Sequence, residues 1–329
     1  MRLSILMPTH ERPDTLALAI DSVRRQSFTD WELLVCGDGC GEETDRVVRS
    51  AMEIDPRVRW FPLPKAPGFG YANRNIVLAE ARGECIGFAA HDNLVMPDHW
   101  LHLMRAMEEP SFMIAASSAA WVDDQGRVVP AIFPLRDPAI RKGFIATTAN
   151  RLPANAFVYR ASLHSEIGMW DATLEKRGDL DLWSRILRHS GEDAFHVSSR
   201  IGFLHFRGLW KNAAAINDPQ DEGIWKTLFA EPDRLPAALR QTVPDGVLPQ
   251  CHFHSLLHGE KGDCWVEELR AACADAIGIF AAEAEARWLA AEKALRKLEK
   301  KAARDREALA ALKSSAKQRP RRKWWRFFC

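Results

Sequence analysis

The chain has 329 residues, of which 47% are hydrophobic and 27% charged, a balance that excludes an intrinsically disordered protein and fits one large α/β domain with an appendage, or two ordinary domains. No apolar run approaches the ~20 residues of a membrane-spanning helix, and the opening MRLSILMPTHER turns polar too early for a signal peptide, so a cytoplasmic location is expected. The formal charge of +1 includes six cations in the last stretch, Lys317, Arg319, Arg321, Arg322, Lys323 and Arg326, which leaves −5 for residues 1–316; that excludes a nucleic-acid partner for the body and places attraction to anionic surfaces in the tail.

Leu3–Met7 reads as a wholly apolar strand, covered on both faces. Pro13 follows at a position that helix starts tolerate, ahead of Leu16, Ile20 and Val23 at helical spacing. Trp31–Cys36 repeats the strand pattern and ends at Gly37-Asp38-Gly39; a helix with Val47, Val48 and Ala51 inward and a strand at Val58–Phe61 come next. After the loop PKAPGFG (64–70), a helix is predicted from about Tyr71 to Ala81, with Ala72, Ile76 and Ala79 on one face and Gly83 closing it. Strand Cys85–Ala89 leads into His91-Asp92-Asn93, and Pro97 opens another helix. Such alternation predicts a mostly parallel sheet with crossover helices, whose ligands gather beyond the strand C-termini.

From about 112 to 210 the pattern is irregular, with a hairpin expected at 121–129, a long polar connection at 134–152, and a helix over Leu180–His189 behind Asp179 and Asp181. Residues 211–262, rich in Pro, Asp and Gln, form an accessory segment to which the sequence assigns no role. Over 263–313, Ala281, Trp288, Leu295, Ala302 and Leu309 recur every seven residues, as do Ala284, Ala291, Leu298, Asp305 and Leu312. The pattern suits either a weak coiled coil, and hence a homo-oligomer through 281–312, or one long helix packed on its own domain. The expected divisions are therefore 1–210, 211–262, 263–313 and a basic-aromatic tail, 314–329. Cations interleaved with Trp324, Trp325, Phe327 and Phe328 in 317–329 suit an anionic membrane surface, which would make the protein peripheral at the inner face of the membrane.

Acids at strand or loop ends, Asp38, Asp92 and Asp179, can hold a hydroxyl-rich ligand or a cation bound to a diphosphate. The seven cysteines include no CxxC pair; Cys251, His254, His258 and Cys264 could be drawn as a zinc site, but at a spacing that matches no common pattern. Trp121, Trp170 and Trp210 are either core or sugar-stacking residues, and Trp183 reads as packing.

Four segments carry a resemblance. PTHERPDTLALAIDSVRRQSFTDWELLVCGDG, GFGYANRNIVLAEARGECIGF, HDNLVMPDHW and KRGDLDLWSRI, in that order over about residues 3–190, resemble the successive blocks of family 2 glycosyltransferases. The resemblance implies a GT-A fold and an inverting transfer from a UDP-, GDP- or dTDP-sugar to a hydroxyl of a glycan, lipid-linked or protein acceptor, in cell-surface or secreted glycan assembly. Carried over by position, Pro8, Thr9, Glu11 and Asp38 would line the nucleotide pocket, with Arg74 near base or phosphate. Asp92 would reach a Mg²⁺ or Mn²⁺ ion, and Asp179 would be the general base. His91 is either a second metal ligand or a neighbour. His205 and Arg207 stand where such enzymes often return a basic residue to the diphosphate or metal. The chain departs from the family pattern at Gly37, Ala90 and Gly178, where carboxylates are usual. The rival reading is a degenerate domain that binds a nucleotide sugar or glycan as a scaffold. A dinucleotide-dependent oxidoreductase is excluded, because no GxGxxG follows the first strand.

Overall fold

The structure, a computed structural model, describes residues 1–131, 153–206 and 232–279, with isolated positions at 293, 297 and 298. The predicted connection at 134–152, Arg207, Trp210, the heptads and the basic-aromatic tail lie outside the described residues. The chain divides into two compact units, Met1–Ala276 and Ile277–Cys329. Among the described residues no helix is long and apolar enough to cross a membrane.

Among the described residues nine strands form one sheet in the order β3-β2-β1-β4-β8-β6-β9-β5, with β7 paired to β6. β1 (Leu3–Thr9) and β2 (Trp31–Asp38) are buried almost throughout, because α1 (Pro13–Arg24), α2 (Glu42–Ile54) and α3 (Tyr71–Leu78) cross between parallel strands and cover the sheet. Pro13 begins α1 at a position where no backbone N–H is needed, and Leu16, Ile20 and Val23 turn inward. β3 (Val58–Leu63) lies at the edge, which accommodates Pro62, since one side of an edge strand needs no ladder bonds.

Beyond β4 (Cys85–Phe88) the expected parallel order gives way to a mixed one. β8 (Phe157–Arg160) runs antiparallel to both β4 and β6 (Ile114–Val122), whereas β9 (Phe195–Phe206) is parallel to β6. The hairpin expected at 121–129 joins β6 to β7 (Val128–Ala131). The two-residue β5 (Leu94–Val95) pairs with β9, setting Leu94 beside Leu204. After β4 come α4 (His99–Ala106), the single turn α5 (His164–Ile167), α6 (Gly178–Ser190), α7 (Pro249–His258) and a helix over 262–279, α8.

One expected face is corrected. Ile76 is 54% exposed, and Tyr71, Asn73, Val77 and Leu78 make the inward side of α3. Asn73 and Tyr71 go inward because buried polar partners await them, Asp38 and the Gly178 N–H; an apolar count cannot see that. The helix also stops at Leu78, short of Ala81.

Residues 232–276 fall inside the first unit, beyond the 1–210 span expected for the domain. Two polar ties explain it. On α7, His254 meets Asp21 of α1 at 2.9 Å. On α8, Arg270 forks onto Asp98 at 2.6 and 3.1 Å and also donates to the Ile201 carbonyl, while Arg200 of β9 shares the same carboxylate. Burial pushes the Asp98 carboxyl up, but bonds and charges from Arg270 and Arg200 outweigh it and hold it at about 2. A depressed carboxyl stabilises the fold above its unfolded value near 4, and that contribution fades as pH falls toward 2. The shift amounts to about 2 kcal/mol. Urea midpoints measured from pH 6 to 2.5 should fall less steeply for Asp98→Asn than for wild type, and parallel curves would remove the clamp from the account.

Candidate active site

Strand register brings the polar tips together. Thr9 pairs with Gly37 across β1–β2, and Leu6 with Phe88 across β1–β4, so Pro8, Thr9, Asp38 and the turn at 90–93 open on one edge of the sheet. Asp38 is buried, and both its oxygens are taken. Lys65 Nζ donates to Oδ2 at 2.6 Å, while the Ala66 N–H and Asn73 Nδ2 donate to Oδ1 at 2.7 Å each. It therefore pins the 64–70 loop and is not an open acceptor. Glu11, at φ +48°, accepts from the Gly41 N–H at the head of α2, where a carboxylate also meets the favourable end of the helix dipole. The Thr9 hydroxyl is buried and has no partner among the described residues.

The turn after β4 is fixed from below by Asn155, whose Oδ1 accepts from the Ala90 N–H at 2.9 Å. His91 Nδ1 lies 3.1 Å from the Pro8 carbonyl; a carbonyl only accepts, so Nδ1 carries the proton and Nε2 keeps its lone pair. Burial holds His91 below its ordinary value despite the nearby Asp92 charge, so it is neutral at pH 7. His205 has the opposite polarity. Asn93 Oδ1 accepts from the Phe206 N–H, which aims Nδ2 at His205 Nδ1, 3.0 Å away. An Nδ1 that accepts from Asn93 places the imidazole proton on Nε2.

Asp92 and the His91 Nε2 lone pair would offer a divalent cation one hard oxygen and one borderline nitrogen. That pair fits Mn²⁺ better than Mg²⁺, with ligand and water oxygens completing the shell. Among the described residues no group of three His, Cys, Asp or Glu could hold an ion alone. The zinc alternative dissolves likewise, since His254 engages Asp21 and Cys264 engages Glu268.

On the other side stands Asp179, in the first turn of α6. Arg74 Nη1 at 3.0 Å and the Trp170 indole N–H at 2.9 Å both donate to Oδ1; among the described residues no hydrogen bond reaches Oδ2. The Arg74 guanidinium lies over the rings of Tyr71 and Trp170, 5.0 and 5.5 Å from their centroids. Arg177, just before α6, takes the left-handed conformation at φ +63°, the kind of backbone strain that gathers at functional sites.

Two of the departures from the family pattern have a common physical cause. A Cβ on Gly178 would lie 2.6 Å from the Tyr71 ring, and one on Gly37 would lie 2.3 Å from the Trp60 ring. At both positions an aromatic ring occupies the space that a carboxylate side chain would need. Tyr71 also gives its hydroxyl to the Gly178 N–H at 2.9 Å, so the head of α6 is held without the glutamate. Sequence reasoning missed Tyr71 and Asn155 and weighed Trp170 only as a core or sugar-stacking residue; the tyrosine beside the glycine-punctuated loop was the one further signal available.

The sequence profile described as "Glycosyl transferase family 2" matches residues 4–168. An uncharacterized glycosyltransferase of Bacillus subtilis, YwdF, is 26% identical over 193 residues, 56% of this chain and 68% of the relative. The GalNAc(5)-diNAcBac-PP-undecaprenol beta-1,3-glucosyltransferase of Campylobacter jejuni is 30% identical over 108 residues, and the match spans only 35% of that enzyme and 33% of this chain. Among solved structures, residues 1–349 of S. aureus TarS in complex with UDP-GlcNAc align with a TM-score of 0.49 at 18% identity, over 63% of this chain and 59% of the other. The mannosyltransferase PcManGT from Pyrobaculum calidifontis, in complex with GDP-Man and Mn²⁺, gives 0.47 at 15% identity, over 89% and 80%. With the profile match covering half its length and opening on β1, the chain belongs to glycosyl transferase family 2.

Proposed function

We propose that the protein is an inverting glycosyltransferase that moves a sugar from a UDP-, GDP- or dTDP-sugar to an acceptor hydroxyl, with Asp179 as general base. The observation that carries this reading is the state of the Asp179 carboxylate: Oδ1 is held by Arg74 and Trp170, and Oδ2 is left to accept a proton. In the transfer, the acceptor O–H proton passes to Oδ2 as the oxygen bonds to the anomeric carbon from one face. The bond to the diphosphate breaks on the opposite face, and its electron pair leaves with the nucleoside diphosphate. The Thr9 hydroxyl, without a partner among the described residues, and the wall set by Asp38 and Glu11 suit the nucleoside, and His205 suits the diphosphate or the metal. Arg207, outside the described residues, is assigned to the same anion. Asp92 and His91 would hold the divalent cation, which supplies Lewis-acid neutralisation of charge on the leaving group when bound.

An acceptor carried on a lipid, the kind that the Campylobacter relative's name describes for that enzyme, would suit the basic-aromatic residues 317–329 and a role in surface-glycan assembly. Nucleoside diphosphate release across a panel of nucleotide sugars, with and without Mn²⁺, tests the reading. One donor should be turned over selectively; binding with no turnover in the presence of lipid-linked and soluble acceptors would favour the scaffold reading. Asp92→Ala should weaken donor binding about tenfold or more in Mn²⁺ and leave it unchanged in chelator, because a cation-bridged contact is worth more than one factor of ten. Equal calorimetric affinities in Mn²⁺ and in chelator for wild type would remove the cation from the site.

A further inference from the structure

We propose that Trp170 is a positioning residue for Asp179: its indole N–H shares Oδ1 with Arg74 and thereby turns Oδ2 toward the acceptor hydroxyl. The inference rests on the base assignment made above. Both donors reach the carboxylate from α3. Arg74 does so directly. Trp170 does so through Asn75, whose Oδ1 accepts the Trp170 N–H at 3.0 Å and whose Nδ2 donates to the Trp170 carbonyl at 2.8 Å. This two-way amide clamp fixes the Trp170 backbone. Its ring is 3% exposed and stands edge-on to Phe88, with centroids 5.2 Å apart at 85°, so the indole has little room to swing away from Asp179.

The contact is not what this fold does with every buried indole. The N–H groups of Trp31, Trp100 and Trp183 are buried without a partner among the described residues, so pairing at Trp170 reflects placement and not a general rule of the core. Two donors on one oxygen fix the carboxylate's rotation, the kind of alignment on which proton transfer depends. Removing one of them makes the carboxylate hold its proton more tightly.

The test uses the full chain. Trp170→Phe keeps the ring and deletes the donor; kcat should fall roughly 10-fold to 100-fold, donor KM should stay within about twofold, and the acidic limb of the kcat profile should move to higher pH. A purely packing role would leave that limb in place. A second measurement needs no turnover. In ¹⁵N–¹H spectra the Trp170 indole signal, assigned by its loss in Trp170→Phe, should shift on Asp179→Asn while those of Trp31, Trp100 and Trp183 stay put. An indole signal that ignores Asp179, or a pH limb that ignores Trp170, overturns the proposal. A shifted indole signal in an enzyme whose wild-type turnover does not depend on Asp179 overturns the base assignment and with it the catalytic role. The indole measurement thus tells the two failures apart.

Discussion

Asp179→Asn is expected to lower sugar transfer by about 10²-fold to 10⁴-fold, the usual worth of a positioned base, while donor affinity changes less than about twofold. Asparagine is nearly isosteric, and its Oδ1 can still accept from Arg74 Nη1 and the Trp170 indole, which sit 3.0 and 2.9 Å from the native oxygen. Only the second position changes, from a carboxylate oxygen with lone pairs to an amide nitrogen with none to offer. The variant therefore separates proton acceptance from architecture more cleanly than alanine would, since alanine would also strand the Arg74 charge and the indole donor. Single-turnover rates beside equilibrium donor titrations provide the check. A variant that turns over like wild type would strip Asp179 of the base role, and one that loses donor affinity in parallel would recast it as part of the binding pocket.

Trp183→Ala should cost about 3–5 kcal/mol, the range for emptying a large aromatic from a core. Trp183 is fully buried on α6 and stacks on Phe157 at 4.4 Å and 28°, with Phe88 and Tyr159 edge-on at 5.3 and 5.9 Å. Its indole N–H has no partner among the described residues, so the loss is counted as one of packing. Because α6 also carries Asp179, the cavity would loosen the base along with the core. Urea unfolding should show a lower midpoint at an unchanged slope. A loss under about 1 kcal/mol would mean that the surrounding rings collapse into the space, and that α6 is anchored elsewhere.

The parts of this fold that were legible in the sequence are those whose burial leaves a local signature. β1, β2 and β4 are mostly apolar runs because helices cover both faces, with Ser4 and Glu32 buried as a hydrogen-bonded pair among them, and α1 and α6 show apolar positions at helical spacing. β5 is too short to carry any period, and β9 breaks its alternation where the pairing with β6 shifts register. α3 misled because its inward residues include Asn73 and Tyr71, which are buried to satisfy Asp38 and Gly178. The site divides along the same line. Asp92, Asp179 and Arg74 could be picked out because they fall on motif positions. The Arg74–Asp179 pair, 105 residues apart in sequence, could not, and neither could Tyr71 in the space of a missing glutamate. Which nitrogen of His91 or His205 carries its proton depends on a carbonyl or amide supplied by another strand, and no residue-by-residue reading contains it.

The Arg270–Asp98 clamp also bears on how the chain is made. The half-sheet β3-β2-β1-β4 uses only residues up to Phe88, so it can close while the rest is still on the ribosome. Asp98, by contrast, meets Arg200 only 102 residues later and Arg270 172 residues later, and the second wait, at about 5–20 residues per second, is roughly 10–30 s of synthesis. For the earlier part of that interval β6 lacks both β8 and β9, and then β9 alone until the chain reaches Phe206. The nascent protein therefore passes through a stage with a finished half-sheet and an unpaired apolar strand beside it, and the clamp on Asp98 is completed only when α8 emerges.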